Sequence, residues 1–195
     1  DGSVVSFPVQ ANTHHDGILA ITEVFEGAVP ADLAARAQAS TVAIANHLNY
    51  VGVLCVEYFV VDNGAGGSDL IVNEMAPRPH NSGHYTMNAC DQSQFDLQVR
   101  TLAGLPLTQP RQHSCAIMLN LLGDLWPEVT PTGKGPTSPA WAQVLALPGT
   151  HLHLYGKLSA RPGRKMGHLN ITGATPEAVR ATALQAAALL GIEAF

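Results

Sequence analysis

Two apolar, β-branched runs, Val51–Val61 and Leu70–Met75, flank the segment Asp62-Asn63-Gly64-Ala65-Gly66-Gly67-Ser68-Asp69. Valine, isoleucine and aromatic side chains favour a pleated surface, and a glycine cluster between two such runs turns the chain. The block is therefore expected to be a β-hairpin. Its symmetric centre lies between Ala65 and Gly66, and Glu57 and Glu74 are equidistant from that centre. In that register the two acids are directly opposed, with Cβ atoms about 4.5–5.5 Å apart. Opposed like charges are destabilising unless something neutralises them. Mg²⁺ suits the task, because it is hard, prefers oxygen and is commonly held by one or two carboxylates plus nucleotide phosphates. The plainer reading is a pair of solvated acids on an outer face. Glycoside hydrolysis is another use of paired acids, but the residues that follow fit phosphate better.

Those residues are Asn73-Glu74-Met75-Ala76-Pro77-Arg78-Pro79-His80-Asn81-Ser82-Gly83-His84. A guanidinium, two imidazoles, two amides and a hydroxyl stand within one short stretch beside Glu74. Arg offers a bidentate fork to an oxyanion, and the amides and hydroxyl add directional hydrogen bonds.

The rest of the chain reads as a mixture of elements. Val4–Val9 and Ile18–Phe25 are expected as strands joined by a polar segment, Gln10–Gly17. Pro30 to Leu48 is expected as a helix, with Pro30 in its first turn and Leu33, Ala37, Ile44 and Leu48 on one face. Gln92–Ala103 is expected as a short helix that Gly104 ends. Ser114–Leu122, Ala142–Ala146 and His151–Tyr155 are expected as short strands. The last helix is capped by Thr175, opened by Pro176 and followed by Gly191. This order is not a βαβ repeat and points to an α+β fold with antiparallel sheet. A division is expected near Leu105–Gln112, giving domains 1–104 and 105–195. The turn signal Asp1-Gly2-Ser3, followed at once by Val4–Val9, reads as the second half of a hairpin. A piece of a longer polypeptide is the resulting expectation.

Charge narrows the partners. The 195 residues carry a net charge of −5, so the overall field does not favour nucleic acid or an anionic membrane. No run has the length of a membrane-spanning helix. Cys55, Cys90 and Cys115 are odd in number and lack CxxC spacing, so neither a disulfide framework nor a zinc site is expected. A reduced, cytoplasmic setting follows as the expectation.

Against this acidic background, no Asp or Glu occurs between Val129 and Pro176, yet five of the ten Lys and Arg do. Lys134 stands apart, whereas Lys157, Arg161, Arg164 and Lys165 cluster around Pro162-Gly163. Such a cluster suits a single phosphate monoester; a solvated loop is the alternative. Nucleic acid fits less well, since no aromatics interleave with the basic residues. Among the nine histidines, His14, His15 and His84 fall in polar loops, whereas His151 and His153 alternate on a strand and read as sheet-face residues.

The stretch Asn73–His84 resembles a signature of the N5-carboxyaminoimidazole ribonucleotide synthetase family, within the ATP-grasp superfamily. Arg161-Pro162-Gly163-Arg164-Lys165-Met166-Gly167-His168-Leu169-Asn170 resembles the same family's C-terminal signature. Asn12-Thr13-His14-His15-Asp16-Gly17-Ile18-Leu19 and Ser93-Gln94-Phe95 are also similar to family segments. The match covers nearly the whole chain, with the motifs in the expected order.

The resemblance implies the C-terminal half of an ATP-grasp fold, then a small β-rich domain with a terminal helix. It implies a carbon–nitrogen ligase that joins bicarbonate to the amine of 5-aminoimidazole ribonucleotide while ATP becomes ADP and phosphate. Carboxyphosphate is the implied intermediate. By resemblance, Glu57 and Glu74 hold Mg²⁺, and Asn73, Glu74 and His14 line the ATP site. Arg78, His80 and Asn81 meet bicarbonate or its phosphorylated form. Ser82, His84, Lys157, Arg161, Arg164 and Lys165 take the aminoimidazole ribonucleotide. A homodimer is also implied.

Two departures stand out. Many ATP-grasp enzymes carry Asn two residues after the second metal-binding Glu, and Ala76 stands there instead. The family's N-terminal domain and the first part of its grasp domain have no counterpart in these residues, so the isolated chain is expected to be inactive. Two alternatives stay open. One is another carboxylate-activating ATP-grasp ligase. The other is a noncatalytic phosphate-ligand or oligomerisation module.

Overall fold

The structure is a computed structural model that describes residues 2–126, 138–193 and 195. Asp1 and Lys134 lie outside the described residues. The elements are mixed α and β with antiparallel sheets, which is the expected α+β class. The chain forms two compact units and enters each twice. One holds the segment up to Gln10 and Gly27–His113, and the other holds Ala11–Glu26 and the described residues from Ser114 onward. Residues 11–26 thus depart from the contiguous division expected at 104/105.

The first unit contains helix α1 (Ala31–His47), the hairpin β3 (Cys55–Asp62) and β4 (Ser68–Ala76), α2 (Thr86–Ala89) and α3 (Gln94–Leu102). Pro30 precedes α1 and Asp32 stands in its first turn, where a carboxylate complements the helix dipole. The hairpin turn is built by side chains. Asp62 accepts from the Gly64 N–H, and Asn63 Oδ1 accepts from those of Ala65 and Gly67, while Gly64 and Gly66 take positive φ. Helix α1 is tied to the hairpin by the Thr41–Tyr58 hydroxyl pair at 3.0 Å and by Arg36 donating to the Ser68 carbonyl. Helix α3 starts with a reciprocal capping box between Ser93 and Asp96, and those hydrogen bonds hold the Asp96 carboxyl below its usual range.

Val4–Val9 is not a strand. Its carbonyls meet side chains instead: Gln38 donates to Phe7 and Tyr85 to Pro8. The run has β-favouring residues, but a strand needs a ladder partner, and Pro8 has no N–H to give. The true first strand, β1 (Ala11–His15), lies in the polar segment expected to be a connection.

The second unit is a five-stranded antiparallel sheet of order β1-β2-β5-β7-β6, with β2 (Ile18–Val24), β5 (Cys115–Leu122), β6 (Thr150–Leu154) and β7 (Lys165–Gly173). Ile21, Ile117, Leu119, Leu121, Leu169 and Ile171 alternate onto one face. There they bury against Val179, Ala183, Ala186, Ala187 and Leu190 of α5 (Pro176–Leu190). Small alanines let the helix approach the sheet closely. The cap is as expected: Thr175 accepts from the Ala178 N–H, Pro176 opens the helix, and Gly191 closes it at φ 72°. The opposite sheet face carries Thr22, Asn120, His168 and Asn170, also buried.

Two elements differ from expectation. Ala142–Leu145 is helical, within α4 (Trp141–Leu145), and Ala146 caps its end, because a five-residue apolar run has no decisive period. Trp141 packs edge-on to Trp126 with ring centroids 5.5 Å apart, which fixes the turn by tertiary contact. The interior strand β7, next to the central β5, begins within the basic cluster, which masks its β pattern.

Gly149, before β6, has φ +70°, and a Cβ there would stand 2.0 Å from the Thr172 carbonyl oxygen. Gly149→Ala is expected to destabilise this unit by about 2–5 kcal/mol, combining left-handed strain with overpacking. A denaturant titration followed by Trp126 and Trp141 fluorescence checks it.

Candidate functional site

The hairpin creates the site through a bulge. From Asp62↔Ser68 to Tyr58↔Val72 the strands pair in one register, which continued would set Glu57 against Asn73. The register shifts between Tyr58 and Glu57, leaves Asn73 unpaired in the ladder, and sets Glu57 opposite Glu74. A bulge is a common way to re-aim a side chain beside a site. The opposition expected from symmetry is therefore present, but it is reached by an irregularity.

Glu57 is buried at 8% exposure, whereas the Glu74 side chain is 49% exposed. Between them stands His80, with Nδ1 3.6 Å from Glu57 Oε1 and Nε2 3.6 Å from Glu74 Oε1. Ser82 Oγ lies 2.9 Å from His80 Nδ1 and 3.5 Å from Cys55 Sγ. Burial, reinforced by Glu57 and Glu74 and opposed by Ser82 and Arg78, pushes the Cys55 thiol up to about 11.

The loop after β4 is held by a residue that the sequence did not single out as functional. Gln94, buried at the start of α3, accepts from the His80 N–H at 2.8 Å. Its Nε2 donates to the His80 carbonyl at 2.8 Å and meets His84 Nδ1 at 2.9 Å. Thr86 Oγ1 accepts from the Gln94 N–H and donates to the Gly83 carbonyl. Gly83 is required for this approach, since a Cβ there would lie 2.6 Å from Gln94 Oε1. With an amide N–H directed at it, His84 Nδ1 is the acceptor nitrogen, which assigns the ring proton to Nε2. The His84 ring stacks on Phe95 at 5.7 Å.

Asn81 stands apart. Both amide atoms are shielded from solvent with no hydrogen-bond partner among the described residues. A shielded, unsatisfied amide costs free energy, so its presence next in the chain to His80, which stands between the opposed acids, marks a place for a polar ligand. The oxygen-rich acid pair fits a hard divalent cation and the amide fits an oxyanion beside it. Arg78 is exposed, and among the described residues its guanidinium donates to the Pro79 carbonyl. Asn73 is exposed on β4.

The remaining candidates belong to the other unit. His14 is exposed on β1, at a register irregularity. Lys157 and Arg161 are exposed in the segment between β6 and β7, and Arg164 and Lys165 are half-buried. The segment is shaped by backbone contacts. The Gly163 N–H donates to Asp124 at 2.7 Å, and Arg164 donates to the Ser159 carbonyl and hydroxyl at 2.9 Å each. Lys157 donates to the Lys165 carbonyl and lies over the Tyr155 ring. Among the described residues no carboxylate forms an ion pair with Lys157, Arg161 or Arg164. Three cationic side chains without ion pairs are suited to an external anion.

Thus one unit gathers Glu57, Glu74, Arg78, His80, Asn81, Ser82 and His84, and the other gathers the basic cluster and His14. Cys55 and Gln94 were missed as site residues. The period of two along β3 could have placed Cys55 on the face of Glu57. A glutamine just inside a capping box, behind Ser93, was the weaker signal for Gln94.

A family model for the ATP-grasp domain matches residues 1–95, and one for the phosphoribosylaminoimidazole carboxylase C-terminal domain matches 116–182. N5-carboxyaminoimidazole ribonucleotide synthase of Escherichia coli (strain K12) is 41% identical over 182 residues, covering 93% of this chain and 45% of that protein. The Bacillus subtilis (strain 168) protein of the same name is 39% identical over 173 residues, covering 87% of this chain and 40% of the relative. The crystal structure of the synthetase from Thermus thermophilus matches with TM-score 0.79 and 34% identity, covering 97% of this chain and 47% of that one. The Aspergillus clavatus enzyme, solved with ADP and 5-aminoimidazole ribonucleotide, matches with TM-score 0.79 and 28% identity, covering 96% and 48%. The chain spans about half the length of these relatives.

Proposed function

Because the chain belongs to the N5-carboxyaminoimidazole ribonucleotide synthase family of ATP-grasp proteins, we propose that it supplies half the machinery for carboxylating 5-aminoimidazole ribonucleotide. The observation that carries this reading is the opposed Glu57–Glu74 pair about His80, followed in the chain by the shielded amide of Asn81, which has no partner among the described residues. The reaction consumes ATP and bicarbonate and releases ADP and phosphate, as a step of purine biosynthesis.

Glu57 and Glu74 would hold Mg²⁺, whose chemistry is to neutralise charge on the ATP phosphates. Asn73 and His14 line the nucleotide. Arg78, His80 and Asn81 fix bicarbonate and then its phosphorylated form. A bicarbonate oxygen attacks the γ-phosphorus and ADP leaves. The amine nitrogen then attacks the carboxyphosphate carbon, phosphate leaves, and the nitrogen loses a proton. Side chains form no covalent bond in this route; their work is positioning and charge stabilisation. Ser82, His84, Lys157, Arg161, Arg164 and Lys165 are assigned to the aminoimidazole ribonucleotide, the basic side chains to its phosphate. The assembly is a homodimer and the setting cytoplasmic; no described helix is long and apolar enough to cross a membrane.

The test is ADP release with bicarbonate and Mg²⁺, measured on this chain in the context of a full-length synthase. Stimulation by 5-aminoimidazole ribonucleotide and not by glycinamide ribonucleotide is expected. Stimulation by the glycinamide compound moves the assignment to a different ATP-grasp ligase. No stimulation by either favours a noncatalytic module.

A further inference from the structure

We propose that Cys55, Glu57 and His80 form a soft-metal site, one that takes Zn²⁺ or a similar thiophilic divalent cation and thereby denies Glu57 to a hard cation. One donor atom from each residue lies within 4.8 Å of the other two. Cys55 and Glu57 are two apart on β3, so they share a face of the hairpin. His80 arrives from the loop after β4, and Ser82 Oγ sits between its Nδ1 and the Cys55 sulfur, so one hydroxyl orients two of the three donors.

The donor set decides which cation fits. Mg²⁺ demands near-octahedral oxygen ligation and keeps several waters, so a sulfur and an imidazole offer it little. Zn²⁺ accepts four ligands drawn from thiolate, imidazole and carboxylate. Tetrahedral bonds of the usual lengths put donors about 3.3–3.6 Å apart, so the trio closes by roughly 1 Å on binding. Glu74, opposite Glu57, stands outside this trio at 3.6 Å from His80 Nε2, so the fourth position is left to water. The exposed Glu74 side chain marks the solvent side from which a cation enters.

Binding breaks the Cys55 S–H bond, sends the proton to solvent and forms the sulfur–metal bond. Cys90 and Cys115 are also free thiols, but neither stands with two other donors among the described residues. The site follows from these donors alone and does not depend on the Mg²⁺ reading.

Co²⁺ is the spectroscopic probe, because a thiolate ligand gives it a near-ultraviolet charge-transfer band. The folded 195-residue chain is expected to develop that band at one equivalent and to lose it on adding Zn²⁺. The band is expected to be absent in Cys55→Ser and His80→Asn, and retained in Cys90→Ser/Cys115→Ser. Losing even an outer-sphere partner costs about 10–100-fold in metal affinity, so Cys55→Ser is expected to weaken Zn²⁺ by more than about tenfold. Mg²⁺ binding, measured in parallel, is expected to be unchanged by that substitution. Absence of the band in the unsubstituted chain, its survival in Cys55→Ser, or equal Zn²⁺ affinity in the two proteins overturns the proposal. Loss of Mg²⁺ binding alone, with the band behaving as expected, counts against the hard-metal reading and leaves this one standing. Circular dichroism of each variant separates a lost ligand from a lost fold.

Discussion

Glu57→Gln is expected to reduce ADP release by about a hundredfold to a thousandfold or more, the loss that follows removal of one preorganised charge-stabilising group. The substitution keeps shape and hydrogen-bonding reach and removes only the charge. Glu57 is the buried member of the pair and Glu74 the exposed one. Desolvation makes the buried carboxylate the stronger partner for a cation and for the phosphate charge it bridges. The fold has little to lose. Two opposed acids repel, and relieving a cross-strand like-charge pair is worth up to about 1 kcal/mol. The melting temperature should therefore hold or rise slightly while activity collapses. Undiminished ADP release from the folded variant, in the full-length context, would remove Glu57 from the reaction. Glu74→Gln serves as the internal comparison, and its smaller expected loss reflects the exposure of its side chain.

The second large effect is structural and concerns Gln94→Ala. The Gln94 amide satisfies both the N–H and the carbonyl of His80 and also holds His84 Nδ1. Truncation removes the Gln94 partner of the His80 N–H and of His84 Nδ1 and opens a void, whereas the His80 carbonyl keeps the Gly83 N–H at 3.0 Å. At about 1–3 kcal/mol for each orphaned group, a destabilisation of about 3–5 kcal/mol is expected. Gln94→Glu discriminates the cause. It keeps an acceptor for the His80 N–H but turns an oxygen toward the His80 carbonyl and His84, so most of the loss should persist with almost no change of volume. Denaturant midpoints measure both. The two units require separate probes, because a single two-state transition is not assured for such a chain. A loss below about 1 kcal/mol for both variants would mean that the loop holds its shape without Gln94.

Glu57 and Gln94 differ in legibility for a physical reason. Glu57 was legible because strand periodicity and a glycine-rich turn are local, and local rules say which residues face each other. Even so, symmetry gave the right pair only because a bulge at Asn73 absorbed one residue. Gln94 was not legible as a site residue, because its partners lie 14 and 10 positions away and no periodicity links them. Val4–Val9 shows the converse. Its β propensity is real, but a strand requires a partner, and none pairs with it among the described residues. Ala142–Ala146 shows the limit of short apolar runs, where a tryptophan contact decides what period cannot.

Local spacing and contiguous motifs were enough for the α+β class, the hairpin with its acid pair, the final helix with both caps, and the family. Long-range pairing decided that residues 11–26 join the sheet of the second unit and that Lys165–Gly173 forms an interior strand between β5 and β6. Tertiary structure also decided that His80 stands between the two acids and that the Cys55 sulfur lies within reach of both His80 and Glu57. Those outcomes depend on strand pairing and burial between residues far apart in the chain, where hydrogen-bond satisfaction and packing, not propensity, set the arrangement.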